Sequence, residues 1–594
     1  MSRNLITNGD CVFKLEIHFS NWLVVGLLLF AAILSGCSTT SNQKSVAQLP
    51  DAKIVPMPFK KPGVLTKELD EDIVFHYLLA EISAQRGRLK LSYDHYLKSA
   101  LLSGDNYAAR RATQIAIFLK DTKATLEAAN HWVNLSPNSI QARNTAAIVN
   151  FRTGNEKVAM EHLLAVIEIA NQTDKDGFLI AAVSLAKETN SDAALLFMQR
   201  LVTQFPRDEK AHYANAVLLA SQKKYKLAEM ALDKSLQLAP NWVKPKLLMV
   251  RVLIDFKDSD AAISYLEKEV SNHSDNTDLR LVYAKLLVPK DHKLAYEEFI
   301  KVYELNKNDM DVISGLSVLA IKMENLPLAK KWLLVLLEQG DRDKRSEAAF
   351  QLGQLEEMGG DKLAAKKFYL KVNQGIYKSD ARLRLARIQA DLGKVSSARD
   401  MLKQMRVLEP DNVVDFYLTE AQILHTYGTQ KEVLDFYEMA LKAKPGDIEL
   451  HYSRAIYEAD EKMVAEAERD FLFVLEKEPD HADALNALGY TLADQTDRYA
   501  EALTLIKRAY EIKPDNAAIL DSMGWVNFRL GNLKEAIVFL RKALAIHNDD
   551  EIASHLGEAL WMAGEQKEAI DVWAKALESF PDSAKLSGVM KRFK

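Results

Sequence analysis

The sequence predicts an all-α fold, a right-handed superhelical solenoid of about fifteen helix-turn-helix pairs, and three observations predict it. First, one pattern occurs three times between His481 and Pro581: Gly489, Gly524 and Gly557 each follow a large apolar residue (Leu488, Met523, Leu556). About a dozen positions later comes Ala502, Ala536 or Ala569, then a small residue seven further on (Ala509, Ala543, Ala576). Second, Pro137, Pro206, Pro240, Pro410, Pro445, Pro479, Pro514 and Pro581 mostly fall at one phase of that pattern, where a second helix should stop. Third, no stretch sustains the period-2 alternation of a strand, so essentially no sheet is expected.

The pattern resembles the tetratricopeptide repeat, a helix-turn-helix unit of about 34 residues. Small residues recur because two helices cross closely there. Carried through the chain, the phase places unit starts near Ile73, Asn106, Ser139, Lys175, Glu209, Val243, Thr277, Met310, Ser346, Ser379, Val414, Ile448, Ala482, Ala517 and Asp550. Ala216, Ala228, Ala386, Ala398, Ala455 and Ala467 take the crossing positions of divergent units, and Leu363–Val372 reads as an amphipathic helix. Units between Val243 and Gly340 are weaker: their alanines drift, and Pro289 and Pro327 fall inside or beside helices. After the array (71–582), residues 583–594 carry Leu586, Val589 and Met590, the makings of a capping helix that covers the outer face of a terminal repeat.

The N-terminus reads as an address. Trp22–Ile33 (WLVVGLLLFAAI) is too short to span a bilayer comfortably but has the length of a secretory apolar region. It ends in Leu34-Ser35-Gly36-Cys37, which resembles the bacterial lipobox. That resemblance implies a signal peptide over 1–36, acylation of Cys37 and, because Ser38 follows it, sorting to the outer membrane with the body facing the periplasm. Each buried methylene of an acyl chain contributes about 0.8 kcal/mol. The only other cysteine, Cys11, leaves with the signal. Residues 37–70, rich in Ser, Thr, Gln, Lys and Pro, read as a flexible tether with a mean reach of roughly 30 Å.

Composition excludes several classes of function. Of 594 residues 27% are charged and 48% hydrophobic, and the net charge is only −5. No basic block stands out, which disfavours nucleic acid. Without cysteines beyond Cys37 there is no disulfide framework and no thiolate metal site. The sequence holds no H-E-x-x-H, G-x-S-x-G, P-loop or G-x-G-x-x-G. Gly359-Gly360 lies where a turn between helices belongs, and histidines such as His425 and His555 read as packing or surface residues rather than ligands. The expectation is a protein with no catalytic residues, no metal, no cofactor and no small-molecule substrate.

Binding remains. First helices of such repeats line a concave surface, and in the last three units its positions hold Asn486, Tyr490, Asp521, Trp525, Phe528, Arg529, Ser554, Glu558 and Trp561. Aromatic and polar side chains mixed in a groove have the composition of a protein-binding hot spot; the competing reading is that Trp525 and Trp561 only pack against neighbouring helices. Arg387, with Arg382 and Arg384 nearby, takes a similar position in a central unit. The Lys/Asn carboxylate clamp of chaperone-binding repeats is missing, since its places hold Asn486, Tyr490, Ser522, Glu551 and His555.

The segments LGYTLAD, TDRY and LDSMGW are more specific than the general repeat, and with the lipobox, tether and long array they make the chain similar to the LbcA family of tetratricopeptide outer-membrane lipoproteins. The resemblance implies an adaptor that binds a periplasmic carboxyl-terminal processing protease, promotes its activity and brings it substrates, among them peptidoglycan cross-link hydrolases. Two alternatives stand beside it: an assembly factor for polysaccharide export or outer-membrane protein insertion, and a hydrolase or transferase with an unrecognised site.

Overall fold

The computed structural model describes residues 71–173 and 175–593. The expected signal peptide, Cys37 and the tether lie outside them. The described residues fall into two units that divide between Trp332 and Leu333. Thirty-one α-helices and one short 3-10 turn make up the described residues, among which there is no strand.

In residues 71–332 the helices are α1 Glu71–Gln85, α2 Leu89–Ser103, α3 Asn106–Phe118, α4 Thr122–Leu135, α5 Ile140–Arg152, α6 Glu156–Asn171, α7 Gly177–Leu185, α8 Ser191–Gln204, α9 Glu209–Ser221, α10 Tyr225–Leu238, α11 Val243–Phe256, α12 Ser259–Asn272, α13 Thr277–Leu287, α14 His292–Leu305 and α15 Met310–Lys322. The helix α16 Leu326–Gln339 contains the division. Residues 333–593 continue with α17 Arg342–Met358, α18 Lys362–Tyr369, α19 Lys378–Asp391, α20 Val395–Leu408, α21 Val413–Tyr427, α22 Gln430–Ala443, α23 Ile448–Asp460, α24 Val464–Lys477, α25 Ala482–Gln495, α26 Tyr499–Ile512, α27 Ala517–Arg529, α28 Leu533–Ile546, α29 Asp550–Met562, α30 Gln566–Ser579 and α31 Ala584–Arg592. The fold is thus all-α, an array of fifteen helix-turn-helix pairs followed by one further helix.

The first helices begin where short polar side chains can hold their free backbone N–H groups. Asp105, Ser139, Asp176, Asp208, Asn276, Asp309, Asp341, Asp447, Asn516 and Asp549 each accept such a bond at an N-cap. Each cap is worth about 1 kcal/mol. Ten pairs then turn on one residue in the left-handed region, two positions past the first helix. It is glycine at 87, 154, 360, 393, 531 and 564, but Lys120, Lys223, Glu324 and Lys462 take the same conformation.

The expected unit starts fall within four residues of the observed ones. The largest error is Ser346, because Asp341 caps α17 and starts it at Arg342. The expected helix Leu363–Val372 ends earlier, at Tyr369, and Gly360 sits in the turn between α17 and α18 as anticipated. Residues 243–340 form regular pairs despite their weak pattern. Pro289 lies in the turn after α13, and Pro327 is the second residue of α16, where a missing N–H costs no helical bond.

Packing explains the small residues. Ala502, Ala536, Ala569, Ala509 and Ala543 are fully buried. A Cβ on Gly489 would lie 2.5 Å from Ile506 Cγ1 and 3.0 Å from the Ala502 carbonyl oxygen, and one on Gly524 or Gly557 would strike Leu540 or the Trp573 indole. Glycine here is a matter of space. In the last three pairs each first helix touches its own second helix, and successive first helices touch as well, α25 with α27 and α27 with α29.

Candidate protein-interaction site

The last three pairs place their first helices, α25, α27 and α29, side by side, and α31 packs against α29. Side chains one repeat apart therefore meet. Asp521 on α27 is fully buried and accepts a hydrogen bond from His555 Nδ1 on α29 at 2.9 Å. Burial opposes a charge on His555, but Asp521, Glu551 and Glu558 outweigh it and raise the imidazole pKa above its ordinary value. Burial raises the Asp521 carboxyl in turn, with His555 pulling against that rise.

Aromatic rings close around this pair. The Trp525 ring stacks on His555 with centroids 4.1 Å apart and on Phe528 at 5.1 Å. Tyr490 reaches across from α25 and donates from its hydroxyl to Glu551 Oε1 on α29 at 2.8 Å. Burial, then the carboxylates Glu551, Asp494 and Asp521, pushes the Tyr490 phenol well above its usual range. Arg529 lies 4.7 Å over the Tyr499 ring and donates to the Tyr499 hydroxyl at 2.6 Å and the Asp494 carbonyl at 3.2 Å.

The end of the array repeats the spacing once more. Lys585 of α31 donates to Glu551 at 2.5 Å, and Arg592 pairs with Glu558, whose carboxyl is raised by burial against the pull of Arg592. Both cations lie 34 positions past their carboxylates, so α31 stands where the first helix of another pair would stand.

Eight of the residues expected in the groove thus lie together on α25, α27 and α29: Asn486, Tyr490, Asp521, Trp525, Phe528, Arg529, Ser554 and Glu558. Trp561 also lies on α29, but its ring is engaged with Trp573 and Phe593, centroids 6.0 and 5.5 Å away, in the packing of the final helices. Ser554 is buried and its carbonyl oxygen accepts from Trp573 Nε1 at 3.4 Å. Arg387 is exposed on α19 and donates to Thr419 at 3.4 Å, apart from this cluster, while Arg384 pairs with Glu357 at 3.0 Å.

Sequence position alone does not assign His555 and Glu551 to the groove, although both carry the network. The signal was available: Asp521 and His555 are 34 positions apart, one repeat, on first helices at matching positions. His425 is a packing residue as expected, bonded to the Tyr437 hydroxyl at 3.0 Å and lowered to about 4 by burial.

Two polar atoms in the cluster have nothing to bond. Asn486 Oδ1, an acceptor, and Trp525 Nε1, a donor, are buried without a hydrogen-bond partner. They sit on neighbouring first helices, and each unmade bond costs about 1–3 kcal/mol. Among the described residues no group of three or more His, Cys, Asp or Glu is placed to hold a metal.

Two tetratricopeptide-repeat family models match the chain, over residues 480–549 and 555–583. The chain is 32% identical over 541 residues to the TPR repeat-containing protein PA4667 of Pseudomonas aeruginosa, with 90% of each chain covered. Among solved structures it is similar to a thermophilic tetratricopeptide protein of Thermus thermophilus (29% identity, 29% of this chain and 93% of that one, TM-score 0.27). It is also similar to a chain of the Cut9–Hcn1 hetero-tetramer of APC/C (13% identity, 88% of this chain and 96% of that one, TM-score 0.32).

Proposed function

This chain belongs to the tetratricopeptide-repeat family that includes PA4667, a family of protein–protein interaction scaffolds, and from that premise we propose that it is a lipid-anchored, non-enzymatic adaptor. Cys37 tethers it to the outer membrane on the periplasmic side, and its partners are a carboxyl-terminal processing protease and the protein substrates of that protease. Such an adaptor accelerates proteolysis by effective concentration, since two partners held on one array meet intramolecularly.

The observation that carries the binding reading is the set of aromatic and polar side chains that α25, α27 and α29 bring together around Trp525. The rings of Tyr490 and Phe528 are half-buried and supply apolar contact beside the Trp525 indole, with the polar Arg529 next to them. The sign of the neighbouring charge also matters. The clamp's places hold Asn486, Tyr490, Ser522, Glu551 and His555, with Asp521 and Glu558 beside them, so a free C-terminal carboxylate is disfavoured in this groove. The protease identity is supported by the LGYTLAD, TDRY and LDSMGW segments and the lipobox-like Leu34–Cys37.

The full-length lipidated chain, solubilised from outer membrane and purified under mild conditions, is expected to bring down a periplasmic serine protease of the carboxyl-terminal processing class. Adding the purified chain should speed that protease on a protein substrate. Asn486→Ala together with Trp525→Ala should reduce both effects by about tenfold, the scale of a two-residue hot spot. Recovery of no protease, with its rate unchanged by the added chain, would refute the proposal.

A further inference from the structure

The strongest departure from the repeat occurs at α16–α18, away from the groove. In four other pairs the fourth residue of the first helix folds back onto a carbonyl six positions earlier. Arg143 donates to Pro137 O at 2.9 Å, Arg280 to Ser274 O at 2.8 Å, and His212 and His451 reach Pro206 O and Pro445 O at 3.0 and 3.2 Å. The fourth residue of α17 is Arg345. Six positions before it is Gln339, still inside α16, because only Gly340 and Asp341 link the two helices. The turn that supplies a free carbonyl elsewhere is missing, and the Arg345 side chain has no hydrogen-bond or ion-pair partner among the described residues.

A second irregularity opens space opposite it. α18 stops at Tyr369 after eight residues, where the second helices on either side run for fourteen. The chain from Leu370 to Tyr377 becomes a turn that brings Lys371 and Asn373 to α17. Together these residues line a cavity of about 330 Å³ with Leu337, Arg342 and Ser346. Ser346 is spent on the Gln374 carbonyl at 2.7 Å. The nearby acids are engaged as well: Asp341 caps α17 with Lys344 3.6 Å away, and Asp343 accepts from Gln374 Nε2 at 2.5 Å.

Arg342, Arg345 and Lys371 are therefore three cations on one cavity whose lining holds no carboxylate. Like charges around a space that no carboxylate lines repel, and an anion bound there relieves that repulsion. Guanidinium forks match carboxylates in a bidentate fashion. Only Leu337 offers an apolar wall, so the ligand is read by charge. The volume is at the small end of ligand cavities, roughly 300–1,000 Å³, which leaves room beyond one inorganic anion.

We propose that Arg342, Arg345 and Lys371 form a docking site for the side-chain carboxylates of an acidic peptide segment in a protein partner. The site is independent of the groove on α25, α27 and α29 and of the protease reading.

The test uses the intact chain and a fluorescently labelled hexaglutamate peptide, followed by anisotropy at low and high salt, with hexaglutamine and inorganic phosphate as comparison ligands. Hexaglutamate is expected to bind and hexaglutamine not, and the affinity should fall with salt. The triple variant Arg342→Gln/Arg345→Gln/Lys371→Gln should weaken binding by at least about tenfold without lowering the melting temperature. Lys367→Gln, an exposed lysine on α18 outside the cavity, should bind as the parent does. Retained affinity in the triple variant, an equal loss in Lys367→Gln, or no binding at all would each overturn the assignment. Displacement by phosphate at the concentration of the peptide's own Kd would overturn it too, since the ligand would then be a small anion.

Discussion

Two stretches of residues 333–593 treat the same repeat differently. On α25–α31 the period is kept, and polar side chains find partners one or two repeats away: Asp521 with His555, Tyr490 with Glu551, Lys585 with Glu551. At α16–α18 the linker and the second helix are both short, and Arg345 loses the carbonyl its counterparts use. Regular spacing builds a crowded, internally bonded surface. A break in spacing leaves charge unmatched. Both outcomes create binding potential by different routes, clustered aromatic and polar side chains in the first and cations around an acid-free cavity in the second.

The comparison breaks most severely if the regular network loses its centre. Asp521→Ala leaves His555 buried among carboxylates without its closest partner and should cost about 3 kcal/mol, measured by denaturant unfolding of the full chain. Arg345→Gln, at the irregular site, should cost nothing measurable in the same experiment. Next in size, Gly557→Ala or Gly524→Ala forces a Cβ onto Trp573 or Leu540 and should cost about 1–3 kcal/mol. If either is neutral, the helix crossing is looser than the contact distances imply.

A pH titration sharpens the account of the network. The His555 pKa is raised in the fold, so the stability from its protonated form is fully present below the unfolded value near 6.5. It is lost as pH rises through the higher folded value. The parent should melt lower as pH rises through that window, and His555→Gln should flatten the dependence. The smallest effect concerns the turns shared by ten pairs. Lys462 holds a left-handed conformation with φ of 60° that glycine adopts in six of the others. Lys462→Gly should raise stability by about 0.5–1 kcal/mol, while Gly531→Lys should lower it by a similar amount.

The fold was readable because its physical requirements recur. Close crossings admit only small residues, so Gly489, Gly524 and Gly557 announced the phase, and prolines marked the ends of second helices. The phase slipped at α17 because Gly340-Asp341 replaces the usual proline-bearing linker. Much of the groove was readable for the same reason, since residues one repeat apart share a surface. The link from Tyr490 to Glu551 was not, because it spans 61 positions and depends on how three pairs curve past one another. Trp561 shows the limit of position alone: its place on α29 suits a groove, yet its ring is taken by Trp573 and Phe593. The cationic cavity was hidden for a deeper reason. It is defined by bonds that Arg345 does not make, and a sequence pattern records residues rather than missing partners.

The central claim is that the surface around Trp525 binds a polypeptide. A photo-crosslinking amino acid in place of Trp525, in the full lipidated chain within its own envelope, tests it most directly, with the same probe at exposed Leu472 as the reference. The account predicts a discrete protein adduct at position 525, containing a periplasmic carboxyl-terminal processing protease or its substrate and lost in the Asn486→Ala background. Equal adducts at 525 and 472, or none at 525, would contradict it.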